Sequence, residues 1–145
     1  MNAIYEKSNH TEWDCKFHVV FIPKNRRKVI YDGLRHHLGD VLRELAKQKE
    51  CKIVEGHLMP DHVHMLLQIP PKHSVAQVVG FLKGKTAIHI ARVYLGRRRS
   101  FAGQHFWARG YWVSTVGKNE AAVRTYIRNQ DAADRSIDQQ LLFKK

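Results

Sequence analysis

The apolar positions change period along the chain. From Trp13 to Ile22, Trp13, Cys15, Phe17, Val19 and Phe21 alternate with Asp14, Lys16 and His18. A period of two with one apolar face predicts a half-buried strand. Pro23 ends it, and a basic loop follows, Lys24-Asn25-Arg26-Arg27-Lys28. From Gly33 to Glu50 the period lengthens. Leu34, Leu38, Val41, Leu42 and Leu45 recur at three- and four-residue spacing, the pattern of an amphipathic helix. Strand character returns from Cys51 to Leu58 and again from His62 to Ile69, and Met59-Pro60-Asp61 between them reads as the tight turn of a hairpin. After Pro70-Pro71, Ser74 is a helix N-cap, and Val75, Val78, Val79, Leu82, Thr86 and Ile90 carry an apolar stripe to about Leu95. Gly80 and Gly84 weaken that helix and suggest close approach of another backbone. A short strand from Tyr111 to Val116 precedes a last helix, Glu120 to about Ala132, capped by Asn119.

The order is therefore strand, helix, strand, strand, helix, strand, helix. Its first six elements match the βαββαβ order of a ferredoxin-like α+β fold, an antiparallel sheet with helices on one face. The last helix is extra. The 145 residues suit one domain spanning 1–145, large enough to bury a core without staples. The first dozen residues are polar and are expected to be loosely held. Cys15 and Cys51 stand in no metal-binding spacing and read as reduced, part-buried thiols, which argues against a structural zinc site.

Charge narrows the function. Lys and Arg number 25 against 13 Asp and Glu, a formal net charge of +12. Such an excess attracts polyanions, nucleic acid before membrane. No apolar run reaches transmembrane length, and the N-terminal MNAIYEKSNHTEWD has no apolar signal core, so a cytoplasmic protein is expected.

Two groups of residues could carry chemistry. In a strand, His62 and His64 project to one side while Val63, Met65 and Leu67 project to the other. Two imidazoles two residues apart can reach one metal ion, although ten histidines make such a pair unsurprising by chance. On the last helix Tyr126 and Gln130, four residues apart, share a face with Val123, and that stripe would rest on the uncovered face of the sheet. Alone, Tyr126 would read as a packing residue and Gln130 as its rim. Together, a cation held by two histidines and an amide oxygen could activate a phosphodiester towards a tyrosine nucleophile. No Walker-type phosphate loop is present.

Three blocks occur in order: Asp61 to Leu67 (DHVHMLL), Phe106 to Val116 (FWARGYWVSTV) and Tyr126 to Gln130 (YIRNQ). With the early FIPKNRRKVI, they resemble the HUH-type single-tyrosine transposases, often called TnpA, of the smallest bacterial insertion sequences. The resemblance covers Trp13 to Gln130. It implies that Tyr126 is the nucleophile and that His62, His64 and Gln130 bind Mg²⁺ or Mn²⁺. It further implies single-stranded DNA with hairpin ends as substrate and a 5′-phosphotyrosine intermediate. It implies a homodimer too, joined edge to edge, in which the tyrosine helix of one subunit can complete the other's site.

For DNA, the candidate phosphate contacts are Lys24, Arg26, Arg27, Lys28, Lys83, Lys85, Arg92, Arg97, Arg98, Arg99 and Arg109. Phe106, Trp107, Tyr111 and Trp112 suit stacking of unpaired bases, and alternate aromatics in a strand equally suit a core. His36, His37 and His89 read as surface or groove residues. Three other readings stand beside the transposase. One is a non-catalytic nucleic-acid module, against which the histidines in the third strand count. The others are a host-domesticated hairpin-cleaving relative and a hydrolase that uses water.

Overall fold

A four-stranded antiparallel sheet in the order β4-β5-β3-β6 organises the chain. The computed structural model describes residues 6–8, 11–93, 106–117, 121, 124–130 and 132. Two short strands, β1 (Glu6–Ser8) and β2 (Thr11–Trp13), pair with each other and, among the described residues, form a sheet of their own. The main sheet begins with β3 (Lys16–Phe21), continues through α1 (Asp32–Gln48), β4 (Lys52–Met59), β5 (His62–Gln68) and α2 (Val75–Val93), and closes with β6 (Trp112–Val116). A further helix, α3, is formed by residues 124–130. The first and third strands of this sheet are central and the second and fourth are edges, which is the ferredoxin-like arrangement.

The alternating run expected from Trp13 to Ile22 is broken. Trp13 ends β2, and the main strand starts only at Lys16. Within it the expected face holds, with Val19 and Phe21 almost fully buried. They meet Val63, Met65 and Leu67 from β5, Leu38, Leu42 and Ala46 from α1, and Val78, Val79, Leu82 and Ile90 from α2 in one core. The helical spacing of the last two groups thus corresponds to the stripes that the helices bury. Ser74 caps α2 as expected, its Oγ accepting from the Gln77 amide at 3.1 Å. Gly80 and Gly84 do not mark a close backbone approach, because a Cβ at either would meet nothing within 4 Å. Cys51 is buried and Cys15 half-buried, both as free thiols, and burial pushes the Cys51 thiol up to about 11. Among the described residues no helix is long and apolar enough to cross a membrane.

The segment before β6 is tied down with unusual thoroughness. Phe106 and Trp107 are core residues, Trp107 standing edge-on to Phe21 at 4.8 Å. The Trp107 indole N–H donates to Thr86 Oγ at 3.0 Å inside the core. The Lys24 amide donates to the Phe106 carbonyl and the Ala108 amide to the Ile22 carbonyl. Between the helices, Nε2 of His37 meets Nε2 of His89 with the rings stacked 4.5 Å apart, so these two histidines are an interhelical contact rather than loose surface groups.

Thr86→Val should cost roughly 1–3 kcal/mol in a denaturant titration, because it keeps the shape of the core but leaves the buried Trp107 donor unpaired. A second expectation concerns pH. Burial, then the neighbouring His37 and Arg92, hold His89 below the usual imidazole range. Between its two pKa values the unfolded chain binds the proton more readily. The contribution of His89 is therefore complete above about pH 6.5 and is lost as pH falls through the lower folded value. The melting temperature should decline as pH falls below about 6.5, and the decline should be shallower in His89→Gln, in which Arg92 and Lys85 on α2 and His37 on α1 no longer face an added charge.

Candidate active site

The face of the sheet away from α1 and α2 is where the candidate residues gather. Side chains of β5 alternate, so Val63, Met65 and Leu67 enter the core while His62 and His64 take the opposite side. Register then assembles a row. His64 lies opposite His57 of β4 on one flank and Val20 of β3 on the other, and Val20 lies opposite Trp112 of β6. All seven residues of β5 are buried, because this second face is covered as well.

Helix α3 supplies the cover. Ile127 is fully buried and packs with Leu66, Val116 and the half-buried Val54. The expectation that Tyr126 and Gln130 form the resting stripe is therefore corrected. They share a face, but Ile127 is the side chain that points down, and Tyr126 is 56% exposed. Val123, the third member expected in that stripe, and Asn119, the expected cap, lie outside the described residues. Turned to one side of Ile127, Tyr126 and Gln130 line a cleft of about 380 Å³ together with His62 and His64. His18, Trp112 and Arg26 also line it. The four residues singled out in the sequence thus come together within a single chain.

The histidines are held in defined orientations. The His62 and His64 rings lie 5.9 Å apart. Nδ1 of His62 is 2.8 Å from Asp61 Oδ1, and the other oxygen of Asp61 accepts from Arg26 Nε at 3.0 Å. A carboxylate on Nδ1 takes that nitrogen as its donor and leaves Nε2 as the basic atom. Burial pushes the Asp61 carboxyl up, but the hydrogen bonds and charges of His62 and Arg26 outweigh it and leave it below the ordinary range. Arg26 reaches Asp61 from a backbone with φ 52°, a left-handed conformation uncommon for a non-glycine residue.

His18, which sequence reasoning passed over as a polar-face residue, is central here. Its ring stacks on His64 with centroids 4.4 Å apart, and the two Nε2 atoms are in contact. Trp112 stands edge-on to it at 4.9 Å and Tyr126 at 6.3 Å. Only the adjacency of β3 and β5 shows this, and no local motif carries it. A second missed residue is Glu55 on β4, whose carboxylate accepts from Arg124 and Arg128 of α3 and pairs with His57. Burial alone would raise its pKa, but the hydrogen bonds from Arg128, His57 and Arg124 leave it lowered.

The expected DNA-facing residues divide. Lys24, Arg26, Arg27, Lys28, Lys85, Arg92 and Arg109 are exposed, whereas Arg97, Arg98 and Arg99 lie outside the described residues. Lys83 has a different task. Its ammonium donates to the carbonyls of Ala108 and Gly110 at 2.8 and 2.7 Å, tethering the segment that leads to β6. Among the aromatics, Phe106 and Trp107 are buried, while Tyr111 and Trp112 face outward, Trp112 being 53% exposed. Those two remain able to meet a base.

A sheet of this order, with the helix of Tyr126 laid across the face that carries a histidine pair, fits the resemblance to single-tyrosine transposases. The comparisons with known proteins agree. The family described as "Transposase IS200 like" matches residues 11–130, and the chain belongs to that family. It is 42% identical over 130 residues to the transposase for insertion sequence element IS200 of Salmonella typhimurium, covering 90% of this chain and 86% of that protein. It is 29% identical to the ISDra2 transposase TnpA of Deinococcus radiodurans over 119 residues, 81% of this chain and 85% of that one. Among solved structures, a putative transposase from Deinococcus radiodurans R1 superposes with a TM-score of 0.69 at 30% identity, over 86% of this chain and 97% of that chain. A REP-associated tyrosine transposase solved with a REP hairpin shares the fold, with a TM-score of 0.58 at 13% identity over 84% of this chain and 67% of that one. The family is one of enzymes that cut DNA and transfer the strand.

Proposed function

We propose that the protein cleaves and rejoins single-stranded DNA at the ends of an insertion sequence, with Tyr126 as nucleophile. The observation that carries this reading is the convergence of Tyr126 and Gln130 on the cleft that also holds His62 and His64. The phenol oxygen attacks the phosphorus of a backbone phosphodiester. The bond to the 3′ oxygen breaks, leaving a free 3′-hydroxyl and a 5′-phosphotyrosine. A second strand's 3′-hydroxyl then displaces the tyrosine, so the energy of the phosphodiester is conserved through both steps.

His62, His64 and Gln130 would hold a divalent cation, Mg²⁺ or Mn²⁺, which would supply positive charge to the phosphate oxygens. The donor set fits. Asp61 occupies Nδ1 of His62 and so directs Nε2 to bonding, and an amide oxygen suits a hard cation. Two imidazoles favour Mn²⁺ over Mg²⁺. His64 Nε2 faces His18, so ligation there requires those two rings to part or share the ion. The chain's own contribution is to hold the imidazoles on a rigid strand, to set Tyr126 beside them and to present Trp112 to an unstacked base.

The substrate is read as a hairpin-ended single strand, supported by the REP hairpin in the related structure and by the net charge of +12. The exposed loop of Lys24, Arg26, Arg27 and Lys28 next to the cleft, with Lys85 and Arg109, would contact phosphates. A homodimer is part of the same reading. β6 is a sheet edge that exposes Tyr111, Trp112 and Val113, a surface suited to edge-to-edge pairing with a second copy.

Incubation with single-stranded oligonucleotides from the flanks of the gene, with Mn²⁺ or Mg²⁺, should give a covalent adduct on a denaturing gel. Tyr126→Phe should lose the adduct by at least about 10³-fold, and His64→Ala should lower its rate by on the order of 10²-fold. Cleavage that persists in Tyr126→Phe would instead make water the nucleophile. Hairpin affinity should fall about 10²-fold between 50 and 200 mM salt, the slope expected if roughly five phosphates are neutralised. A flat response would remove the phosphate-contact assignment of the basic loop.

A further inference from the structure

The attachment of α3 poses a problem that packing alone does not solve. Successive residues on a helix turn by about 100°. With Ile127 pointing at the sheet, Arg124 and Arg128 project to one side, and Tyr126 and Gln130 project to the other. Among the described residues of this helix, Ile127 is the one buried apolar side chain. Among these residues one apolar contact does not by itself set the helix's rotation, and a small roll about Ile127 would lift Tyr126 and Gln130 from the cleft.

We propose that Glu55 is the positioning residue of the tyrosine helix, its carboxylate gripping Arg124 and Arg128 so that Tyr126 and Gln130 are aimed into the histidine cleft. Arg128 Nη2 donates to Oε1 at 2.9 Å and its Nε to Oε2 at 3.4 Å, the two-pronged geometry in which a guanidinium fixes orientation as well as distance. Arg124 Nε adds a third donor at 3.3 Å. His57 Nε2, 2.8 Å from Oε2, steadies the carboxylate from its own strand. An isolated surface ion pair would set nothing firmly. Here the acceptor is 12% exposed and shared by two arginines one helical turn apart, so the grip resists rolling. The β-bulge between Ile53 and Glu55 helps, because it re-registers β4 so that Glu55 lies opposite Leu66, the residue on which Ile127 rests.

The proposal takes its roles for Tyr126 and Gln130 from the transposase reading, but the seat of the helix can be measured without it. In the full chain, amide hydrogen exchange of residues 124–130 should quicken by about tenfold or more in Glu55→Gln while exchange in β5 is unchanged. Adduct formation should slow by about 10- to 10²-fold with single-strand affinity kept within about threefold, since misaimed groups lose rate rather than binding. The swap Glu55→Arg with Arg128→Glu should improve both readouts by at least about threefold over Glu55→Arg alone, short of the parent because Arg124 and His57 then face a cation, and a merely structural loss would not allow that improvement. Arg43→Gln, which breaks the exposed Arg43–Asp40 pair on α1, should change neither. If Glu55→Gln loosens the whole sheet, Arg128→Gln on the solvent side decides the matter through the same exchange. Unchanged exchange in both single variants, or a swap no better than Glu55→Arg alone, overturns the proposal. Absence of an adduct in the parent protein would sink the transposase reading while leaving the exchange result and its rescue to decide the role of Glu55.

Discussion

The period-two alternation of β5 is the constraint on which the rest of the structure depends. Val63, Met65 and Leu67 must enter the core with Val19, Phe21 and Leu82, so His62 and His64 have no choice but the opposite face. β5 is hydrogen-bonded on both sides, to β4 and to β3. A one-residue slip would bury the imidazoles among leucines and expose the core residues, so hydrophobic burial enforces the register of the site. The same register sets His18 beside His64 and places Trp112 at the end of the row. The histidine geometry is thus a by-product of core packing, held by far more free energy than the polar groups themselves could supply.

The helix laid over this face is attached by different means. The imidazoles sit on a central strand, whereas Tyr126 and Gln130 sit on a helix whose described residues meet the sheet through Ile127 and through charges. Two kinds of attachment imply two kinds of response to change. A sheet-borne group moves only if the core moves. A helix whose described residues meet the sheet through one apolar side chain and an ionic grip can shift while the sheet stays intact, which suits the capture and release of a strand proposed for Tyr126.

Much of the fold was legible because it is written in periodicity. The strand and helix of each half, the Met59-Pro60-Asp61 turn and the Ser74 cap follow from local spacing and local chemistry. The pairing of His62 and His64 follows from alternation, and the common face of Tyr126 and Gln130 from helical spacing. What stayed hidden depends on which strands lie side by side. His18 looks like any polar-face residue until β3 is known to neighbour β5. Glu55 and Arg128 are distant in sequence, and nothing local marks them as partners. The block Phe106 to Val116 shows the limit within one motif. Its first two aromatics are core and its later two are exposed, because Trp107 finds a buried acceptor in Thr86 and β6 has no neighbour beyond it among the described residues. Lys83 illustrates the same limit for charge, since two carbonyls in a loop twenty-five or more residues away decide its use.

The distribution of charge around the cleft also separates attraction from chemistry. The arginines nearest the site are compensated, Arg26 by Asp61 and Arg124 and Arg128 by Glu55. Without those carboxylates, these guanidiniums would bind a phosphate strongly in the ground state and repel the cation proposed for His62, His64 and Gln130. Pairing them weakens that competition. The net charge of +12 then acts at longer range through exposed residues such as Lys24, Arg27 and Lys28, attracting a polyanion. Interactions that hold substrate and transition state equally do not speed a reaction, so a site with balanced charge at its centre and excess charge at its margin keeps its electrostatic gain for the step that needs it.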